Sequence, residues 1–315
     1  MKGVFKLFLP LIMVSNLAHA ELLDLNMALQ NAYNSCVGID EALGEMKKLA
    51  GINTAVTAVG TGLGVGATVT GFVKASKDKK IAALEKELER IKQIESTKTD
   101  FSVPNKAEVL SASDSYFNAN KDDKRAEEYQ TEIQKLTKQS KNLGNWRTGL
   151  LAGNTVTNIA GAIIAGKNNG SDVQVLIDEC RASISELNNS ILQAKMNGQD
   201  VTEAQGIKSA CMSWDTVDVS KINIRAKGAQ ISSIVGVGFG AAGTITSGIA
   251  NSDKIRDDDS ESGKAKEKNL NAAANVLSVG ATAASASALI FNVTQISAIK
   301  KAAEAAEQCE KALRG

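Results

Sequence analysis

The chain has 315 residues, with 36 lysines and arginines against 35 acids and a formal net charge of +1, a balance that gives no electrostatic case for nucleic acid. The only histidine, His19, lies in a segment expected to be removed. What remains then has no Ser-His-Asp or Cys-His catalysis and no ordinary zinc-hydrolase site.

Residues 1–20 carry Lys2 and Lys6, the apolar run Leu7–Val14 and then Ala18-His19-Ala20, the small-x-small pattern that signal peptidase cleaves. The run is too short to span a bilayer, which takes about 20 residues, and no cysteine follows the cleavage point to carry a lipid. The expectation is a secretory signal peptide, 1–20, and an exported protein beginning at Glu21. Of the two prolines Pro10 leaves with the signal and only Pro104 stays, which permits very long uninterrupted helices. Aromatics at 4% are few for a large globular core and suit thin helix-on-helix packing.

Leu22, Leu25, Leu29, Ala32, Cys36, Ile39, Leu43 and Met46 alternate steps of three and four, which places them on one helical stripe. An uncharged, glycine-rich stretch follows at 49–73, then a charged insert at 74–147. Within the insert Ile81, Leu84, Leu88 and Ile91 make one seam and Tyr129, Ile133, Leu136, Ser140 and Leu143 another. The spacing predicts an antiparallel coiled-coil hairpin over 81–143, with its tip in the polar residues around Ser96–Lys121.

A second apolar stretch occupies 148–166, and Ser171 with Gln174 reads as a capping box opening the next helix. Its stripe is Val173, Ile177, Cys180, Ile184, Leu187 and Ile191. A turn is expected at Asn197-Gly198-Gln199-Asp200. Beyond it come a short stripe (Ile207, Cys211, Trp214), an apolar stretch at 228–252, a polar loop Asp253–Lys268, a fourth stretch at 269–299 and a last stripe (Ile299, Ala302, Ala306, Cys309, Leu313).

The order cysteine, apolar stretch, insert, apolar stretch, cysteine therefore occurs twice. This internal repeat predicts an all-α fold of two tandem long helical hairpins, 21–197 and 198–315, the first lengthened by its coiled-coil tip. Four cysteines in an exported chain favour two disulfides, and sequence alone permits three pairings. Cys36 lies 15 residues before Gly51 and Cys180 lies 14 after Gly166; Cys211 lies 17 before Gly228 and Cys309 lies 16 after Val293. On antiparallel helices each pair stands at nearly one height, which predicts Cys36–Cys180 and Cys211–Cys309.

Small residues recur every fourth position in the apolar stretches. Gly149, Gly153, Thr157, Gly161 and Ala165 form one ladder, and Ser232, Gly236, Gly240, Thr244 and Gly248 another. Val56, Gly60, Gly64 and Thr68 form a third, and Gly280, Ala284 and Ala288 a fourth. Glycine costs an exposed helix about 1 kcal/mol relative to alanine, so such density implies close helix packing of the small-xxx-small kind, a glycine zipper. The helix-packing candidates are Gly60, Gly64, Gly149, Gly153, Gly161, Gly236, Gly240, Gly248 and Gly280. Each stretch is long enough to span a membrane, although Asn154, Asn158 and Asn292 make insertion marginal.

Other motifs carry little. Gly62-Leu63-Gly64-Val65-Gly66-Ala67 and its counterpart from Gly236 match a loose dinucleotide fingerprint, but they sit inside helical ladders instead of after a strand. Asp257-Asp258-Asp259 lacks calcium-loop spacing and reads as a solvated turn. Lys79, Lys80, Lys86 and Arg90 are interleaved with Glu85, Glu87 and Glu89, a mixed-charge solvent face. No catalytic, cofactor or metal residues are expected, and no small-molecule substrate is indicated.

The leading expectation is a non-enzymatic exported cell-envelope protein whose hairpins associate with or insert into a membrane, contacting lipid or self-associating. A soluble periplasmic scaffold binding a protein partner through the coiled coil is the first alternative. A secreted pore-forming protein is the second, since helical pore-forming toxins combine long helices with Gly/Ala-rich hairpins in a broadly similar way, without a shared motif.

Overall fold

The structure, a computed structural model, describes residues 24–99, 109–168, 170–256, 258 and 260–315, and their side chains except those of 94–122 and 215. The expected signal peptide with its cleavage site, part of the expected hairpin tip, and Asp257 and Asp259 of the acidic cluster lie outside the described residues.

The fold is all-α, with no strand among the described residues. A short helix α1 (residues 24–36) leads into α2 (Ile39–Thr99), followed by α3 (Val109–Lys167), α4 (Ser171–Met196), α5 (Thr202–Cys211), a 3-10 turn (Met212–Thr216), α6 (Val219–Ala250), a single turn α7 (Asp253–Arg256) and α8 (Glu261–Arg314). α2 holds 61 residues and α8 holds 54, so each runs ~80–90 Å at the usual rise. No proline lies within α2, α3, α6 or α8 to interrupt them.

Several boundaries differ from the sequence reading, each for a local reason. The stripe that ends at Met46 is, from Leu25 on, two helices, because the chain turns at Gly38 with φ +93°. The capping box at Ser171 and Gln174 does not form. Gly170, with φ +60°, is the residue that starts α4 and makes no side-chain cap, while the Gln174 carboxamide oxygen accepts from Asn223 Nδ2 at 2.5 Å. Backbone helix reaches into both ends of the expected tip, up to Thr99 and again from Val109. The loop expected at Asp253–Lys268 is also shorter, since α7 and the first turns of α8 occupy most of it.

The turn after α4 falls where it was expected. Gly198 takes φ +74°, its N–H donates to Lys195 O at 3.1 Å, and Gln199 N donates to Ala194 O at 3.0 Å, the Schellman arrangement for which glycine is suited. Asp200 then accepts from the Thr202 hydroxyl at 2.7 Å and from Thr202 N at 3.0 Å, which holds its carboxyl below the ordinary value. Asp218 does the same before α6. Ser220 Oγ donates to it at 2.6 Å, and with Lys221 nearby its pKa falls to about 2.

The chain forms two compact units. One comprises residues up to Ala58, Ile159–Ile234 and Ala286–Gly315; the other comprises Val59–Asn158 and Val235–Ser285. Each draws on both of the consecutive halves 21–197 and 198–315.

The first unit holds the conventional apolar core, built on the stripes read from the sequence. Cys36, Ile39, Leu43, Ile177, Cys180, Cys211, Trp214, Ile222, Ile299 and Cys309 pack into one cluster. Leu25, Ala32, Leu187, Ile191 and Val201 pack into another. Cys36 is bonded to Cys180 and Cys211 to Cys309, with Cα separations of 4.8 and 4.3 Å. Arg181 Nη2 donates to Trp214 O at 2.8 Å and to Val217 O, tying α4 to carbonyls around the end of the 3-10 turn.

The second unit contains the α2–α3 hairpin. Ser140 Oγ donates to Asp78 at 2.5 Å, Lys77 Nζ to Gln139 at 2.7 Å and Lys80 Nζ to Glu132 at 2.6 Å. Lys80 lies beyond Lys77 and Asp78 on α2, whereas its partner Glu132 precedes Gln139 and Ser140 on α3, as antiparallel pairing requires. Leu136 and Ser140 are buried on the α3 seam, while Ile81, Leu84, Leu88 and Ile91 on α2 are half-buried.

Candidate functional site

The apolar stretches of α2, α3, α6 and α8 are four helices long and apolar enough to cross a membrane. In them the heptad spacing does not stop; it continues in small and polar residues. The buried positions of α6 run Ala226, Ala229, Ser233, Gly236, Gly240, Gly243, Ser247 and Ala250, alternating steps of three and four. Those of α2 run Asn53, Thr57, Gly60, Gly64, Ala67, Gly71 and Lys74, and α3 and α8 follow the same rule. A sustained 3.5-residue repeat keeps one seam facing its partners.

In the first unit this seam is polar. Asn53 Nδ2 donates to Asn292 Oδ1 at 2.9 Å, Asn292 Nδ2 donates to Thr57 Oγ1 at 3.2 Å, and Gln295 Nε2 donates to Asn168 O at 3.3 Å. All these side chains are buried, whereas Ile52, Ile163, Ile231 and Ile290 of the same helices are more than half exposed.

The second unit repeats the inversion. Asn154 Nδ2 donates to Gly60 O at 2.6 Å and to Ser285 Oγ at 3.0 Å, and Asn158 Nδ2 donates to Asn154 Oδ1 at 2.9 Å. The bond to Gly60 O exists because a residue without a side chain leaves that carbonyl open to a neighbouring helix. Further along the seam the Arg147 guanidinium is 1% exposed and donates to Ser247 Oγ, Asn275 Oδ1 and Asn271 Oδ1 at 3.0, 2.7 and 3.3 Å. Lys74, 2% exposed, pairs with Asp78 at 2.7 Å and with Glu267 at 3.5 Å. Outside this layer Val69, Phe72, Val156, Ile245 and Val276 are each more than half exposed.

Seven of the nine expected packing glycines stand at close approaches. A Cβ would lie 2.6 Å from Thr157 Oγ1 at Gly60, 2.8 Å from Thr282 Oγ1 at Gly64, 3.1 Å from Leu63 Cδ1 at Gly153 and 3.2 Å from Ser233 Oγ at Gly161. It would lie 2.7 Å from Asn158 at Gly236, 2.5 Å from Thr155 Oγ1 at Gly240 and 2.8 Å from Phe239 at Gly280. At Gly149 and Gly248 a Cβ would meet nothing within 4 Å among the described residues. The reason is geometric: steps of four residues drift about 40° each around a helix of 3.6 residues per turn, so a five-rung ladder cannot follow the seam throughout, and Gly149 is exposed while Ala165 at the other end of its ladder is buried.

Sequence reading from four-residue ladders missed Arg147, Lys74, Asn271 and Ser285. Following the flanking heptads through the glycine stretches would have found them. The sulfurs of Cys36, Cys180 and Cys309 lie within 4.8 Å of one another, but each is already in a disulfide, so they are not thiolate ligands in the oxidised protein. The chain matches no protein-family model, no curated protein and no solved structure.

Proposed function

We propose that this is a non-enzymatic exported envelope protein whose four apolar helical stretches lie within a membrane, their glycine, alanine and asparagine seams turned inward. The observation that carries this reading is the inverted polarity of each unit. Carboxamides, hydroxyls and small residues are buried while valine and isoleucine face outward, and no more than 33% of any apolar window is buried. A water-soluble bundle would bear the full hydrophobic penalty of that exposure, and contiguous apolar surface on this scale marks a partner or a membrane. Hydrocarbon reverses the preference, because apolar side chains then gain nothing by burial and polar groups must satisfy one another inside.

Export rests on the signal pattern of residues 1–20 and on cysteines paired as in an oxidising compartment. The α2–α3 coiled coil, 81–143, is the segment suited to a protein partner in such an arrangement. Cell fractionation with alkaline carbonate and urea washes tests the reading: the protein should stay in the membrane pellet. Quantitative release into the wash would replace it with a soluble periplasmic scaffold.

A further inference from the structure

One face of α3 changes character in order along the helix. At 100° per residue Lys135, Lys138, Asn142, Asn145, Trp146 and Gly149 fall on a single side, and all six are exposed. Trp146 is 69% exposed and lines a shallow, solvent-open groove on the α3 surface with Asn142, Asn145, Gly149 and Leu150. Gly149 leaves the floor of this groove open, since nothing lies within 4 Å of where its Cβ would stand. Val156 continues the same face as exposed apolar surface.

The electrostatics of the segment have one sign. From Ile133 to Lys167 α3 contains no acidic residue. The Lys141 ammonium is neutralised by Asp253 at 2.8 Å, whereas Lys135 and Lys138 pair with no acid among the described residues. Asn145 accepts from Asn251 through its oxygen, which leaves its amide N–H groups as donors. The sequence ammonium, carboxamide, indole, open glycine and β-branched side chain follows the order phosphate, ester, interface and acyl chain met on entering a lipid leaflet. Lys138 stands one helical turn, ~6 Å, before Asn142, within reach of a phosphate whose glycerol ester oxygens sit at the carboxamides.

We infer that this groove binds an anionic phospholipid, with Lys135 and Lys138 on the headgroup, Asn142 and Asn145 on the phosphate and ester oxygens, and an acyl chain lying beside Trp146 over Gly149. The inference rests on the membrane reading above and adds a site and a lipid class to it. Unpaired basic residues at a membrane surface favour anionic lipid, and the groove gives that preference a fixed position.

The test uses the full chain reconstituted in phosphatidylcholine vesicles containing a tenth of either brominated phosphatidylglycerol or brominated phosphatidylcholine. Tryptophan quenching is read for the wild type and for Trp146→Phe; the difference isolates Trp146, because the other tryptophan, Trp214, is 1% exposed. Brominated phosphatidylglycerol should quench Trp146 severalfold more strongly than the brominated phosphatidylcholine, a preference on the order of fivefold per lysine. It should vanish in Lys135→Gln/Lys138→Gln, whose positions are exposed and structurally indifferent. Equal quenching by the two lipids, or a preference unchanged by the double substitution, overturns the site while a carbonate-resistant protein keeps the membrane reading. Release by carbonate overturns both.

Discussion

Asn53 of α2 and Asn292 of α8, 239 residues apart in sequence, meet through an Nδ2-to-Oδ1 hydrogen bond of 2.9 Å with both side chains no more than 1% exposed. In an apolar surrounding such a bond specifies which faces of two glycine-rich helices meet, a choice that side-chain bulk cannot make where there is none. Replacing Asn292 with leucine removes the acceptor and strands the Asn53 amide, at a cost of about 1–3 kcal/mol. A double-alanine cycle on Asn53 and Asn292 should return a coupling of about 0.6–2 kcal/mol, measured by unfolding in mixed micelles. Additive losses would make the pair incidental.

Much of this arrangement was legible, and the limits have a physical cause. The stripes around Cys36, Cys180 and Cys309 were readable because leucine and isoleucine mark a core seam by size alone. Within the apolar stretches size inverts its meaning: the bulky residues Ile231 and Val276 are exposed, and the seam consists of Gly236, Ser247 and Asn154. A search for the small-residue face then depends on the period assumed, and a period of four finds Gly153 and Gly161 but also Gly149. The register of Ser140 against Asp78, or of Arg147 against Asn271 and Asn275, needs the partner helix and has no local signature. Gly38 was missed as a break for another reason: its positive φ is visible in the backbone, while the sequence shows only one more glycine among 26.

The glycine geometry predicts effects of opposite sign from one substitution. Alanine at Gly236 or Gly240 places a methyl 2.7 Å from Asn158 or 2.5 Å from Thr155 and should destabilise by about 1–3 kcal/mol. Alanine at Gly149 or Gly248 meets open space and should be neutral or stabilise by up to about 1 kcal/mol through helix propensity. Four single variants compared by thermal unfolding in one detergent suffice. A loss at Gly248 as large as that at Gly240 would contradict the seam described for α6.

Arg147 should not be replaceable by lysine. Its planar guanidinium reaches Ser247 on α6 and both Asn271 and Asn275 on α8, a fork that a single ammonium cannot reproduce. With 1% of the residue exposed, water cannot take over the orphaned acceptors. Arg147→Lys should therefore cost about 1–3 kcal/mol, whereas Lys138→Gln on the exposed face of the same helix should leave stability within about 0.5 kcal/mol. Unfolding midpoints for the two variants decide it, and equal midpoints would remove Arg147 from any organising role.

The two disulfides join residues 144 and 98 apart in sequence, loops long enough that each restricts the unfolded chain by about 4–5 kcal/mol in the entropy model. Non-reducing peptide mapping should return Cys36 with Cys180 and Cys211 with Cys309. Their proximity adds a sharper consequence. The sulfur of Cys309 lies within 4.8 Å of those of both Cys36 and Cys180, so a Cys309 thiolate released in place is next to an intact bridge. In Cys211→Ser that thiolate can attack one sulfur of Cys36–Cys180; a new bond forms to Cys309, and the other cysteine leaves as a thiolate, with no net oxidation. Exchange proceeds through the thiolate, so it should be slow at neutral pH and accelerate at alkaline pH. Alkylation and mapping of Cys211→Ser after alkaline incubation should reveal Cys309 bonded to Cys36 or Cys180. Persistence of Cys36–Cys180 alone, with Cys309 alkylated once the chain is unfolded, would show that the two bridges do not communicate.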